Sequence, residues 1–200
     1  MKKNLLIVVL SCFICLLTFG QSSFKISHSP YIQGLTAKSV YIIWTTDKSA
    51  TGWVEIAPDD GSHFYQTERP KYYAAAYGFK KVGTLHQVHI KNLKPGVKYR
   101  YRVFSQEVLK HEGTTVLYGN TIATAVYQKE PLFFETPAYK RTHNFVVVND
   151  IHGRNDVLHT LLGIGKVDDA DFVIFNGDMA NSLQSEQQMF VDFMDTAIER

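Results

Sequence analysis

Two stretches decide the fold of the second half of this chain: Phe145-Val146-Val147-Val148-Asn149-Asp150-Ile151-His152-Gly153 and Phe172-Val173-Ile174-Phe175-Asn176-Gly177-Asp178. Each is an apolar run that ends at an aspartate. An apolar run without alternation is typical of a parallel strand that is buried on both faces. Ligands of such sheets gather beyond the carboxyl ends of the strands. We therefore expect Asp150, His152 and Asp178 to lie close together.

The segment between the two stretches predicts a helix, and the whole therefore predicts a βαβ unit. Asn155 or Asp156 can cap the start of this helix. A second helix is expected after Ser185, because Ser185 and Gln188 have the spacing of a capping box. One βαβ unit and one further helix cannot cover both faces of a parallel sheet.

The chain from Phe24 to about Pro137 has a different pattern, which predicts an all-β domain. Apolar residues alternate with others along several short segments that are separated by turn residues such as Pro95 and Gly96. The inward positions of two of these segments are Val40, Ile42, Trp44, Tyr99, Tyr101 and Val103. Short strands at such spacing indicate a small β-sandwich.

A tyrosine-rich patch in this half contains Tyr72, Tyr73 and Tyr77, followed by Gly78. Exposed aromatic side chains on loops can stack on sugars or cover an adjacent active site. The same residues can equally pack against their own domain. The pattern leaves both interpretations open.

The first twenty residues have the layout of a secretory signal peptide. Lys2 and Lys3 precede an apolar run over 5–17, and small residues follow it. The alternatives are an uncleaved anchor or a lipoprotein attached at Cys12, although the bulky Leu10 argues against the latter. We expect a secreted or periplasmic protein that meets a membrane only through such an anchor.

Removal of residues 1–20 would also remove both cysteines, Cys12 and Cys15, and would leave 19 basic against 19 acidic residues. A chain without thiols has no disulfide framework, cysteine nucleophile or thiolate metal site. A balanced charge without a basic cluster argues against nucleic acid as a primary partner. The remaining length suits one to two domains.

The residues at the two strand ends have the chemistry of metal ligands. In extended backbone, Asp150 and His152 would point the same way and could bind one ion together. A carboxylate beside an imidazole suits iron, manganese or zinc, and Asp178 could reach the same ion and a second one. Two ions held together can activate a water molecule and bind a phosphoryl group. Alternatively, Asp150 caps a turn, His152 is a structural histidine, and the Gly-Asp pair before Met179 is an ordinary turn.

Two resemblances give these patterns a family context. Trp44 and the segment Leu93-x-Pro95-Gly96-x-x-Tyr99 resemble a fibronectin type III domain, in which such a tyrosine bonds back to the preceding turn. The segments 86–103 and 134–137 are similar to the amino-terminal domain of purple acid phosphatases.

The segments 149–153 and 176–178 resemble the first two motifs of the calcineurin-like metallophosphoesterases. This resemblance implies that Asp150 and His152 bind the first metal ion and that Asp178 bridges two ions, which are iron, manganese or zinc. It implies hydrolysis of phosphate esters by a metal-bound hydroxide at a binuclear site. His152 and Asn181 depart from the purple enzymes, which have a ligating tyrosine at the latter position, so the resemblance implies a colourless site.

The expected fold class is a fibronectin type III-like β-sandwich followed by the first part of an α/β metallophosphoesterase domain. The expected boundaries are a signal peptide at 1–20, the sandwich at 21–137, a linker at 138–143 and the phosphoesterase segment at 144–200. The later motifs of that family do not follow Asp178, so the remaining metal ligands and the proton donor are expected beyond Arg200. These 200 residues alone are therefore expected to be inactive. Arg154 and Asn181 are candidates for contact with substrate or for support of the site.

Two other functions fit parts of the sequence. The β-sandwich could be a non-catalytic binding or spacer module that carries an incomplete phosphoesterase remnant. A phosphotransferase with an aspartyl nucleophile and magnesium is a third reading, but His152 argues against the all-oxygen shell that magnesium prefers.

Overall fold

The structure is a computed structural model that describes residues 23–125, 132–139 and 142–199. The predicted signal peptide and part of the predicted linker lie outside the described residues. Within the described residues, no helix is long and apolar enough to span a membrane.

The first half is built from nine strands in the described residues. They are β1 Ile26–Gln33, β2 Ser39–Pro58, β3 Tyr72–Tyr73, β4 Ala75–Ala76, β5 Phe79–Lys80, β6 Val82–Lys91, β7 Lys98–Glu112, β8 Thr115–Ala123 and β9 Phe133–Glu135. All pairings among them are antiparallel.

The long strand β2 belongs to both layers of a β-sandwich. Its first part pairs with β1 and β6, and its second part pairs with β3 and β7. The pairing with β6 shifts register between Thr45 and Ala50, around the exposed residues Asp47 and Ser49. Strand β7 continues the second layer, where β8 and β9 pair with it. This arrangement confirms the fibronectin type III-like sandwich that the sequence predicts.

The two layers enclose one apolar core. Trp44 from the first part of β2 is fully buried and packs with Val54 from the second part. The predicted inward residues are all buried: Val40, Ile42, Trp44, Tyr99, Tyr101 and Val103. The hydroxyl of Tyr99 accepts a hydrogen bond from the amide of Lys94 at 3.1 Å, as expected for a tyrosine that bonds back to the preceding turn.

The second half contains a βαβ unit, as predicted. Strands β10 (Phe145–Val148) and β11 (Phe172–Phe175) pair in parallel, and α1 (Asn155–Ile164) and a 3-10 turn at Val167–Asp169 connect them. A second helical run follows, with α2 at Glu186–Met189, a π-helical turn at Phe190–Met194 and α3 at Asp195–Ile198. The side chain of Ser185 caps its start by accepting the amide of Gln188 at 3.1 Å.

The expectation that β10 and β11 are buried on both faces is wrong for the described residues. One face packs on α1 and the second helical run through Val148, Leu158 and Phe193. The side chains of the other face are exposed: Phe145, Val147, Phe172 and Ile174. The physical reason is that both helical segments pack on the same face of the pair.

The predicted cap of α1 is also wrong. Arg154 occupies the cap position, and no side chain caps the helix there. Asn155 lies inside the helix, and its amide donates to the carbonyl of Val191 at 2.8 Å. The Asn155 side chain, which local spacing predicts to cap the helix, is instead engaged in this tertiary hydrogen bond.

The sandwich contacts the second half through β1. The ring of His28 stacks on Phe190 with centroids 3.9 Å apart. Its Nδ1 lies 2.9 Å from the carboxylate of Asp195. Tyr31 adds an edge-on contact with Phe190. The Nε2 of His28 lies 3.3 Å from Gln187 Oε1. One histidine of the sandwich is therefore held from three positions on the second helical run: Gln187, Phe190 and Asp195.

Candidate metal centre

The loops that follow β10 and β11 are joined by backbone hydrogen bonds. The amide of Asp150 donates to Gly177 at 3.2 Å, the amide of His152 donates to Asp178 at 2.9 Å, and the amide of Gly153 donates to Met179 at 2.8 Å. The parallel pairing of the strands thus continues into the loops. The two sequence motifs are brought side by side, as the sequence predicts.

All three predicted metal ligands lie in left-handed backbone. The φ angles are 64° at Asp150, 55° at His152 and 52° at Asp178. The assumption that Asp150 and His152 occupy extended backbone is therefore wrong, because each residue turns the chain to reach the neighbouring loop. Such angles are unfavourable for residues other than glycine and cluster at functional sites.

The side chains of Asp150 and His152 nevertheless meet. His152 Nε2 lies 2.7 Å from Asp150 Oδ1, and both side chains are open to solvent, at 43% and 68% exposure. The carboxylate and the imidazole form a pair of oxygen and nitrogen donors on the protein surface. Asp178 is exposed on the adjoining loop.

The donor chemistry suits a metal ion, but the assembly is incomplete. Carboxylate and imidazole ligands fit iron, manganese or zinc. In the part of the chain that the structure describes, however, no three His, Cys, Asp or Glu side chains are grouped so that they could hold an ion. The structure brings two donors together and places the third on the neighbouring loop.

Arg154 and Asn181 both bind the backbone of the first loop. The amide of Asn181 donates to the carbonyl of His152 at 2.9 Å. The Nε of Arg154 donates to the carbonyl of Ile151 at 3.2 Å. These contacts hold the loop that carries Asp150 and His152.

A further carboxylate borders the first loop and was missed in the sequence. A Cβ atom added to Gly153 would lie 3.9 Å from Asp192 Oδ2, so the π-helical turn brings Asp192 against this loop. The hydrogen bond from Asn155 to the adjacent Val191 fixes the same approach. Asp192 lies in no recognisable motif, and only the packing of the second helical run reveals it.

The sandwich has recognisable relatives among known proteins. The family model of the purple acid phosphatase N-terminal domain matches residues 29–129. This match begins within β1, runs through β8 and ends before the loop of Asp150. The comparison with curated proteins gave no match.

Several solved structures are remotely similar. The sensor domain of the anti-sigma factor RsgI4 from Pseudobacteroides cellulosolvens is 15% identical, with 60% of this chain and 93% of that chain covered and a TM-score of 0.32. The fn3 domain of the human collagen alpha-1(XX) chain is 13% identical, with coverage of 63% and 97% and a TM-score of 0.35. A fibronectin type III domain from the human KIAA0970 protein is 16% identical, with coverage of 58% and 76% and a TM-score of 0.34.

The family match spans half of the chain and coincides with the two-layer sandwich and its buried Trp44 and Tyr99. The chain therefore belongs to the family of the purple acid phosphatase N-terminal domain.

Proposed function

We propose that this chain takes part in the metal-dependent hydrolysis of phosphate esters, as a secreted or periplasmic protein. The sandwich belongs to a domain family named for a phosphatase. Directly after it, two paired loops carry carboxylate and imidazole donors beyond the carboxyl ends of parallel strands. That edge of a parallel sheet is where ligands bind. The proposed export rests on the apolar segment after Lys2 and Lys3.

One observation carries the proposal. Six non-glycine residues of the described chain have positive φ angles, and three of them are Asp150, His152 and Asp178. Left-handed backbone is uncommon for residues other than glycine, although Asp and His adopt it more readily than most, and it persists where the surrounding structure enforces it. The hydrogen bonds between the two loops supply that enforcement.

The residues of the chain have distinct parts in this proposal. Asp150 and His152 would hold a first ion. Asp178, on the next loop, would be a ligand of this ion and of a second ion. Iron, manganese or zinc suits these donors. When bound, such ions acidify a water molecule and neutralise charge on a phosphoryl group. Asn181 and Arg154 would keep the first loop in place through His152 and Ile151.

A second function is favoured by the extent of the family match. That match lies within the sandwich and ends at residue 129. A non-catalytic binding or spacer module is therefore the alternative, with the paired loops serving only to support the fold.

Hydrolysis of an aryl phosphate tests the proposal. The natural full-length protein is stripped of metal by a chelator and assayed with and without added Mn²⁺ or Zn²⁺. We expect turnover only with metal, and a loss of more than about a hundredfold in Asp178→Asn, because changes outside the ligand shell already cost ten- to a hundredfold. Asp156→Asn, in the first turn of α1, is the matched control and should keep full activity.

Three other results would reject this function. Turnover without metal would exclude a metal-dependent reaction. Equal activity in Asp178→Asn and Asp156→Asn would remove Asp178 from the site. A natural full-length protein without turnover under any metal would favour the binding module.

A further inference from the structure

A small hairpin projects from the sandwich and is exposed along its whole length. Strands β4 and β5 pair only with each other, with Ala75 opposite Lys80 and Ala76 opposite Phe79. Residues 75–81 are all exposed. At its base, the amide of Ala74 donates to Gly52 at 2.9 Å and the amide of Lys81 donates to Ala74 at 2.8 Å. The hairpin is thus anchored to β2 at one end and free at the other.

The tip of the hairpin carries two aromatic side chains that contact little of the protein. Tyr77 is 100% exposed and Phe79 is 77% exposed. Tyr77 also has a φ of 52°, which is unfavourable for a bulky residue. Two-residue hairpin turns of this kind usually contain asparagine, aspartate or glycine at such a position. A tyrosine here is costly both in backbone conformation and in exposed apolar area, which indicates a role outside the fold.

Lysines surround the base of the hairpin. Lys80 Nζ lies 4.3 Å from the centroid of the Tyr73 ring, and Lys71 Nζ lies 5.4 Å from the Trp53 ring. Lys81 follows directly and is exposed. The sequence from 69 to 81 contains no carboxylate.

A carboxylate on the underlying strand β2, Glu55, is engaged by other side chains. Glu55 is buried, and it accepts hydrogen bonds from Trp53 Nε1 at 3.3 Å and from the Tyr65 hydroxyl at 2.9 Å. The hairpin therefore presents an aromatic tip, formed by Tyr77 and Phe79. A lysine collar, formed by Lys71, Lys80 and Lys81, lies at its base. The complement of this surface is an anionic one that can also receive aromatic rings.

An anionic membrane surface matches this chemistry better than an acidic polysaccharide. Small-molecule sites contain a few placed polar groups that fix the orientation of the ligand, and the hydroxyl of Tyr77 is the sole polar side-chain group between Ala75 and Phe79. A bilayer needs no such partners. Aromatic rings partition into the headgroup region, and lysines are attracted to anionic headgroups.

We propose that the hairpin of Ala75–Lys81 docks this protein on an anionic lipid surface. Tyr77 and Phe79 enter the headgroup region, while Lys71, Lys80 and Lys81 lie against the lipid phosphates. This docking does not depend on the metal centre. It would add a peripheral contact to whatever else connects the protein to a membrane.

Co-sedimentation with vesicles measures this docking. The full chain is mixed with vesicles of phosphatidylcholine alone or with phosphatidylglycerol added. We expect stronger binding to the anionic vesicles and roughly thirtyfold weaker binding in the double variant Lys80→Gln, Lys81→Gln, from about one kcal/mol per lysine. The double variant Lys94→Gln, Lys110→Gln removes the same charge from exposed sites elsewhere and should lose much less.

A local probe reports on the tip itself. Tyr77→Trp should show a blue shift of the added tryptophan emission on anionic vesicles, measured against the wild-type background. Tyr139→Trp replaces another exposed tyrosine and should show none. Because all variants share the rest of the chain, any other membrane contact is common to them.

The opposite results would overturn the proposal. Equal binding of both double-lysine variants would exclude a role of the lysine collar in vesicle binding. An unshifted Tyr77→Trp emission would exclude insertion of the tip. Binding to an acidic polysaccharide such as alginate, in place of vesicles, would assign the hairpin to a glycan instead.

Discussion

Asp150 and His152 hold their side chains 2.7 Å apart although both residues lie in left-handed backbone. In a strand, the extended backbone alone places the side chains of residues two apart on the same face. Here the amides of both residues are turned to bond with Gly177 and Asp178 of the neighbouring loop. The pair is thus a product of contacts between two loops, and its position depends on both.

Exchange of Thr45 for valine should stabilise the protein. The hydroxyl of Thr45 is buried and has no hydrogen-bond partner among the described residues, and the residue is only 2% exposed. A buried hydroxyl without a partner carries a desolvation penalty of about 1–3 kcal/mol, which Thr45→Val removes with little change of shape. Thermal unfolding should show a higher Tm.

The neighbouring Thr46 provides the matched control. Its hydroxyl donates to the carbonyl of Lys48 at 2.8 Å and lies 3.0 Å from His86 Nε2. Thr46→Val should therefore lower the Tm. The same sign for both substitutions would show that the hydrogen bonding of these hydroxyls is not what distinguishes them.

Stability should fall as the pH drops from about 6.5 to about 4 because of His86. Burial of this imidazole, with a smaller effect of Lys81, lowers its pKa to about 4. The unfolded chain binds the proton near pH 6.5, so the lowered pKa of His86 does not change the free energy of unfolding above that pH. On acidification the free energy of unfolding falls, until the folded protein is protonated too. The full decrease in the free energy of unfolding is about 3 kcal/mol.

Urea unfolding at several pH values measures this dependence. His86→Gln should flatten the pH dependence in that window, whatever its effect on absolute stability. His159→Gln, at an exposed position of α1, should leave it unchanged. An unaltered slope in His86→Gln would mean that another group dominates.

Gly52 should not tolerate a methyl group. A Cβ atom at this position would lie 2.5 Å from Trp44 Cζ2 and 2.9 Å from His86 Nδ1, both in the packed core. Overpacking of this kind costs about 1–3 kcal/mol, so Gly52→Ala should lower the Tm. Gly83→Ala on β6 meets no atom within 4 Å and should leave the Tm within error or slightly higher. Equal effects would reject the steric reason.

The sandwich could be predicted because its pattern is local. Alternation placed Trp44 and Val103 in the core, and the turn before Tyr99 fixed the hydrogen bond of its hydroxyl. The strands β10 and β11 followed in the same way from their apolar runs. Each of these features depends on residues a few positions apart.

What the sequence could not give depends on residues far apart in the chain. The sequence predicts Asn155 as a helix cap, but its side-chain amide donates to the carbonyl of Val191. The exposed face of β10 and β11 depends on where two helical segments pack. Asp192 borders Gly153 through the same packing. The left-handed backbone of Asp150 arises from pairing with another loop, which no local pattern encodes.

Titration of Mn²⁺ into the metal-free protein by calorimetry tests the central claim most directly, namely that Asp150, His152 and Asp178 bind one ion together. We predict saturable binding to the wild type and to Asp156→Asn. We predict at least tenfold weaker binding to Asp178→Asn, since that change removes a ligand. Equal affinity of the wild type and Asp178→Asn, or no saturable binding to the wild type, would contradict this account.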